Sequence, residues 1–355
     1  MPERFRFTLD GRPAEAEGAT SLLAAMWNAG RRAVRTSVSG EARGPVCGMG
    51  VCFECRVTID GEPHRRACLE TVREGMDVAT ALGGGLAGTK IPSAPVRTEA
   101  PRGAEVVVVG GGVIGCSVAY HLADMGCKDV LLLERDQLTS GTTWHAAGLM
   151  TTYGATSETS LGIRRHSREL YGRLEAETGL STGFMEVGFI EVAADPDRLE
   201  EYRRVTAFNR RHGNNVEEIS PAEIQALFPY ANLDGILAGF YTASDGRINP
   251  VDLTMALARG ARLKGARIFQ NTPVLGVLAR KGRVAGVRTA QGDIQCEFVV
   301  NCAGMWARQL GEKSGVCIPN QAAEHYYLIT DEIAGVPKNL PVFEGPESRA
   351  SELMA

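Results

Sequence analysis

The run Val106–Glu134, VVVVGGGVIGCSVAYHLADMGCKDVLLLE, limits the fold more than any other stretch of this chain. Four consecutive valines suit a strand buried on both faces, as in a parallel sheet. Gly110, Gly112 and Gly115 follow as G-x-G-x-x-G. That spacing permits a tight turn, a close backbone approach and a helix N-terminus open to a pyrophosphate. The helix after it is predicted to bury an apolar stripe of Ile114, Val118, Leu122 and Met125. Val130–Leu133 reads as a second buried strand. Glu134 ends it, nineteen residues beyond Gly115, where an acid can accept hydrogen bonds from ribose hydroxyls. Strand, turn, helix, strand and acid in this order make a βαβ unit that binds a dinucleotide. The run by itself does not separate FAD from NAD.

A second constraint lies ahead of it. Cys47, Cys52, Cys55 and Cys68 are spaced C-x4-C-x2-C-x12-C, and the first part is the plant-type ferredoxin spacing. Thiolates are soft, charged ligands, and four of them complete a 2Fe–2S cluster. Gly48 and Gly50 allow the loop to curl so that backbone N–H groups can face the sulfurs. Structural zinc is the alternative, although zinc modules more often pair their cysteines as two C-x2-C knuckles. Cys116, Cys127, Cys296, Cys302 and Cys317 lack ligand spacing and read as structural thiols, with Cys116 and Cys302 placed in buried sheet contexts.

Composition is ordinary for a globular protein, with 23% charged and 44% hydrophobic residues. A net charge of −4 gives no reason to expect nucleic acid as a partner. The longest run free of charged residues and histidine, Val106 to Tyr120, is too short and glycine-rich for a membrane span, and the N-terminus has no apolar signal core. The expected location is therefore cytoplasmic. Three segments are expected: a cysteine-rich module over 1–85, a Gly/Pro-rich linker over 86–103, and an α/β module over 104–355. In the first, Phe5, Phe7 and Leu9 alternate onto one face before the turn pair Asp10-Gly11. Thr20 or Ser21 caps a short helix ended by Gly30, and CRVTIDGEP enters an Asp60-Gly61 hairpin.

The cysteine segment, CGMGVCFECRVTIDGEPHRRAC, resembles the small subunit of hydrogen cyanide synthase and the ferredoxin-like part of heterotetrameric sarcosine oxidase. That resemblance implies an α+β, β-grasp ferredoxin-like domain over roughly 1–85. ERDQLTSGTTWHAAGLM, LYGRLEAETG, AGFYTASDGRINPVDLTMALARGAR and VVNCAGMWARQLG resemble the dimethylglycine and sarcosine dehydrogenases of the D-amino-acid-oxidase-type FAD superfamily. Over roughly 104–330 this implies an α/β FAD-binding Rossmann-type domain with an inserted substrate region, and FAD as the dinucleotide.

The resemblance also implies roles for particular residues. His145, in T-W-H-A-A-G, is the position of covalent attachment to the flavin 8α-methyl group; hydrogen bonding to the cofactor or loop is the alternative. Ser140, Thr142 and Thr143 line the cofactor pocket or are ordinary loop groups. Ala303 and Gly304 allow the backbone to approach the cofactor. EHYYLIT matches the pattern H-x-Y-x-x-T, so His325 and Tyr327 point to one side of a strand and handle the substrate amine or carboxylate, unless they are core residues. Arg247 stands where related enzymes often carry His, which leaves the specific amine open. By that resemblance the family's later strand and helix, and its folate-binding aminomethyltransferase region, are expected to be missing from this chain. The expectation is a C-terminally incomplete FAD domain, either a fragment or one completed by a partner subunit.

The expected function is FAD-dependent oxidation of a small N-methylated or simple amino acid. Electrons would pass from flavin to the 2Fe–2S cluster and then to a quinone or carrier protein. The alternatives are a cyanogenic glycine dehydrogenase component and a non-catalytic electron-transfer subunit. An NAD-dependent enzyme leaves the His145 motif unexplained.

Overall fold

The computed structural model describes residues 4–17, 20–36, 42–45, 55–80, 101–323, 327, 333 and 335–345. Of the residues singled out above, Cys47, Gly48, Gly50, Cys52 and His325 lie outside the described residues. The chain forms two compact units, Met1–Glu99 and Ala100–Ala355.

In the first unit β1 (Arg4–Leu9) and β2 (Arg12–Glu17) form the expected hairpin. Asp10 and Gly11 both take positive φ, 51° and 72°, the conformation whose twist matches the strands. Phe7 and Leu9 are buried while Arg6 and Thr8 face out, as a period of two requires. Helix α1 (Leu22–Asn28) is capped by the Ser21 side chain, which accepts from the Ala24 N–H at 3.2 Å. The short pair β3 (Arg35–Thr36) and β4 (Ala42–Arg43) follows. A second hairpin, β5 (Arg56–Ile59) and β6 (Glu62–Arg66), turns at Asp60-Gly61. β7 (Asp77–Ala79) then inserts parallel to β1 and antiparallel to β5, giving the order β2-β1-β7-β5-β6. The turn aspartates pin it: Asp60 accepts from the Asp77 N–H at 2.8 Å, and Asp10 from the Thr80 N–H at 2.6 Å. Hairpin, helix, hairpin and a central returning strand make the β-grasp, ferredoxin-like arrangement, with α1 packing Leu22, Ala25 and Met26 onto the sheet.

The second unit opens with β8 (Val106–Val109), α2 (Val113–Asp124) and β9 (Val130–Leu133). It continues through β10 (Leu149–Met150), α3 (Glu158–Thr178), β11 (Phe189–Ala193), α4 (Pro196–Arg211), β12 (Glu217–Ile219), α5 (Pro221–Leu227), β13 (Ala238–Thr242) and β14 (Gly246–Arg247). Then come α6 (Pro250–Leu263), β15 (Arg267–Phe269), β16 (Val274–Arg280), β17 (Arg283–Thr289), β18 (Gly292–Gln295), β19 (Phe298–Asn301), α7 (Ala307–Lys313) and β20 (Val342–Glu344). Strands β15-β9-β8-β19 form one fully parallel sheet. Its side chains alternate between two cores. Val106, Val108, Val130 and Leu132 pack under α2 and α6, whereas Val107, Val109, Leu131 and Leu133 face Val287 and Ile294 of the antiparallel β16-β17-β18 layer. This explains the unbroken apolar runs.

The apolar stripe expected for α2 is corrected at its two ends, while Val118 and Leu122 do pack against the core. Ile114 and Met125 are 64% and 83% exposed, and the buried face is Gly115, Cys116, Ala119, Tyr120 and Ala123. Small residues are needed there because α2 lies close to the sheet and to α6, where a Cβ on Gly260 would stand 2.8 Å from the Tyr120 ring. Cys116 therefore belongs to a helix rather than a strand.

The inserted region forms the sheet β12-β13-β11-β20. One face packs Tyr153, Phe189 and Phe240; the other packs Ile190, Val192 and Ile224. In SDGRINP, β14 pairs with β10, and Asn249 then caps α6 by accepting from Val251 and Asp252. Asp245 is fully buried and accepts from the Thr152 N–H at 2.7 Å, the Thr152 hydroxyl at 2.7 Å and the Tyr153 N–H at 3.3 Å. Burial pushes its carboxyl pKa up, and these hydrogen bonds oppose the shift. The node ties the return of the chain from the insertion to its departure.

Candidate functional site

A cleft opens at the carboxyl ends of β8, β9 and β19, the crevice where open α/β sheets bind ligands. It encloses ≈ 970 Å³, part of it open to solvent. Its lining includes Gly110, Gly112, Glu134, Thr142, Thr143, Ala303 and Gly304. Gly110 adopts φ +113°, and a Cβ there would collide with the Cys302 carbonyl oxygen. A Cβ on Gly115 would collide with the Gly110 carbonyl oxygen, so α2 can start this close to β8 only with glycine. Both oxygens of Glu134 are held, accepting from the Gly111 N–H at 2.6 Å and the Asp136 N–H at 2.9 Å. The carboxylate is buried at the turn, with lone pairs left over for hydroxyl donors.

The hydroxyl-bearing loop is less uniform than expected. Thr143 is buried, and its oxygen accepts from the Val113 N–H at 3.0 Å, so it caps α2 from a distant loop. Thr142 is exposed at the rim, while Ser140 is exposed and outside the lining. His145 is exposed, with the Trp144 ring 3.5 Å away centroid to centroid. Its Nδ1 lies 3.2 Å from the Tyr327 hydroxyl, so two candidate residues 182 positions apart meet. Arg247 is engaged by the Lys338 carbonyl oxygen.

Residues that the sequence reading passed over complete the cleft. The Arg135 guanidinium lies over the Trp306 ring at 3.6 Å from its centroid, and Lys313 stands at the end of α7. Two cations beside a helix N-terminus suit an anionic pyrophosphate, so the lining fits a dinucleotide in charge as well as shape. Arg135 was findable from its place directly after Glu134; Trp306 carries no signal of its own.

In the first unit the hairpin register Arg56↔Arg66 sets Cys55 and Cys68 side by side. Their sulfurs are 3.2 Å apart and not in a disulfide. Two thiolates on one tetrahedral metal, with bonds of about 2.3 Å, stand roughly 3.7 Å apart, so a small side-chain rotation would accommodate a shared iron. These two positions fit a cluster. Elsewhere, burial pushes the Cys116 thiol up to about 12 and the Cys296 thiol up to about 11, which keeps both protonated and inert near neutrality.

The chain is 37% identical to human mitochondrial sarcosine dehydrogenase over 316 residues, covering 87% of this chain and 33% of that protein. It is 40% identical to human mitochondrial dimethylglycine dehydrogenase over 266 residues, covering 74% and 31%. It thus spans about a third of the length of these relatives. L-proline dehydrogenase from P. horikoshii superposes with a TM-score of 0.58 at 27% identity, over 61% of this chain and 57% of that one. Among the described residues, no helix is long and apolar enough to cross a membrane. Residues 3–83 match the 2Fe-2S iron-sulfur cluster binding domain, and residues 105–352 match the FAD dependent oxidoreductase family, to which this chain belongs.

Proposed function

We propose that this chain oxidises a small N-methylated or simple amino acid with FAD, and that the electrons leave through a 2Fe–2S cluster in its first unit. The observation that carries this reading is one chain holding both a dinucleotide cleft and a metal-ready cysteine pair, with similarity to sarcosine and dimethylglycine dehydrogenases. Bound FAD would supply the hydride acceptor, and the cluster one-electron transfer. Gly110, Gly112 and Gly115 admit the pyrophosphate, Glu134 accepts from the ribose, and Arg135 with Lys313 balances its charge. Ala303 and Gly304 leave room for the rest of the cofactor. Tyr327, beside His145, would orient the substrate together with His325. The final acceptor is a quinone or a carrier protein.

In a rapid-mixing experiment, dimethylglycine, sarcosine or glycine is expected to bleach the flavin before the cluster. The rate should rise with pH, because only the unprotonated amine has a lone pair to support hydride departure. Tyr327→Phe should slow the bleaching without slowing cluster reduction by dithionite-reduced flavin. If no amine bleaches the flavin, even with a partner subunit present, the electron-transfer-subunit reading takes its place.

His145 is proposed as the covalent attachment point, because a neutral imidazole is a competent nucleophile near neutral pH. Acid precipitation of flavin-loaded protein should leave the flavin with the pellet, and His145→Ala should release it to the supernatant. Complete release from the unmodified protein rules the linkage out.

A further inference from the structure

His121 on α2 and His166 on α3 meet each other and are not part of the cleft lining. Their Nε2 atoms are 3.1 Å apart, with ring centroids at 5.3 Å and planes inclined by 51°. The other ring nitrogen of His121 decides the chemistry. Its Nδ1 lies 2.7 Å from the Ser117 carbonyl oxygen, which can only accept, and 3.3 Å from the Ser117 hydroxyl, which can accept as well, so we assign the proton to Nδ1. His121 Nε2 is therefore left with its lone pair directed at His166. Donation of one ring N–H to a backbone carbonyl is also the arrangement that orients a metal-bound histidine and raises its basicity.

We propose that His121 and His166 bind a divalent transition-metal ion of the zinc class, tying α2 to α3. Two nitrogens 3.1 Å apart, each about 2.05 Å from a metal, subtend an angle of roughly 98°. That lies between octahedral and tetrahedral ligand angles. Because the rings now meet nearly head-on, with centroids at 5.3 Å, they must tilt so that both lone pairs swing off the N–N line by roughly 40° onto the ion. Binding needs no net proton loss: His166 moves its proton from Nε2 to Nδ1, which leaves both Nε2 lone pairs for the ion. His166 is exposed, so water can reach the remaining coordination positions. Among the described residues no third His, Cys, Asp or Glu joins the pair as a ligand. Asp124, one turn on from His121, is paired with Lys264 at 2.8 Å, so that pair adds no net charge beside the site. Imidazole pairs completed by water suit zinc, nickel and copper rather than calcium or magnesium.

The test is calorimetric titration of flavin- and cluster-loaded protein with zinc chloride near neutral pH, the loaded cluster keeping its cysteines occupied. One zinc per chain is expected, together with a rise in melting temperature. Loss of an outer-shell partner alone costs about 10–100-fold in metal affinity, so His166→Ala should weaken binding at least about tenfold. It should also abolish the thermal shift. Because His166 is exposed, its replacement leaves the core intact. His212→Ala, at a histidine 3.7 Å from Glu158, should leave zinc affinity unchanged. Equal zinc affinity in wild type and His166→Ala, or no binding to the wild type, overturns the proposal.

Discussion

Cys68→Ser is expected to remove the iron–sulfur cluster, taking iron and labile sulfide from about two of each per chain to near zero. Cys68 sits in the short turn after β6, beside Cys55 at the head of β5. A serine hydroxyl is harder than a thiolate and ionises far less readily, so it does not hold iron at neutral pH. Cys68 is also only half-buried, whereas Cys55 is 1% exposed within the core of its unit. The Cys68 exchange therefore removes a ligand with the smaller loss of packing. Flavin content and visible flavin absorbance should be unchanged, because Ala100–Ala355 packs as a separate unit. Iron and sulfide assays on anaerobically purified protein check both points. Stoichiometric zinc without labile sulfide in fresh wild-type protein would instead assign the cysteines to a zinc site.

Gly115→Ala is expected to abolish FAD binding, by at least about a hundredfold in affinity, or roughly 2.7 kcal/mol. The added methyl group would run into the Gly110 carbonyl oxygen, with the Cys302 side chain 3.4 Å away on another side. Both obstacles belong to the site itself, so relief requires α2 to lift from the end of β8. That movement displaces the helix N-terminus and the Gly111 N–H that holds Glu134. Overpacking of this kind also costs about 1–3 kcal/mol of stability. Gly172→Ala is the matched control, being in α3 with nothing within 4 Å of its would-be Cβ. It should retain flavin and gain up to about 1 kcal/mol from helix propensity. The flavin-to-protein ratio after purification and a flavin titration distinguish the two variants. Wild-type flavin content in Gly115→Ala would mean that the turn is not the cofactor site.

Features set by neighbouring residues were legible in the sequence. The alternation ending in Phe7 and Leu9, the Asp10-Gly11 and Asp60-Gly61 turns, the Ser21 cap and the apolar strands β8 and β9 all depend on local stereochemistry. Their signals lie within a few residues of the structure they produce. The β-grasp order was not legible in that way. It came from resemblance, because only the pairing of β7 with β1, nearly seventy residues earlier, defines it. The tertiary structure alone decided which face of α2 is buried. Hydrophobic periodicity favoured Ile114 and Met125, but contact with the sheet and α6 selected Gly115, Cys116, Ala119, Tyr120 and Ala123, with Tyr120 fitting only because α6 offers Gly260 there. The same holds for Thr143 capping α2, Arg135 covering Trp306, and the meetings of His145 with Tyr327 and His121 with His166. Such contacts join residues far apart in the chain, and no period, spacing or propensity in a single sequence records them, because each is created only when the separate elements pack.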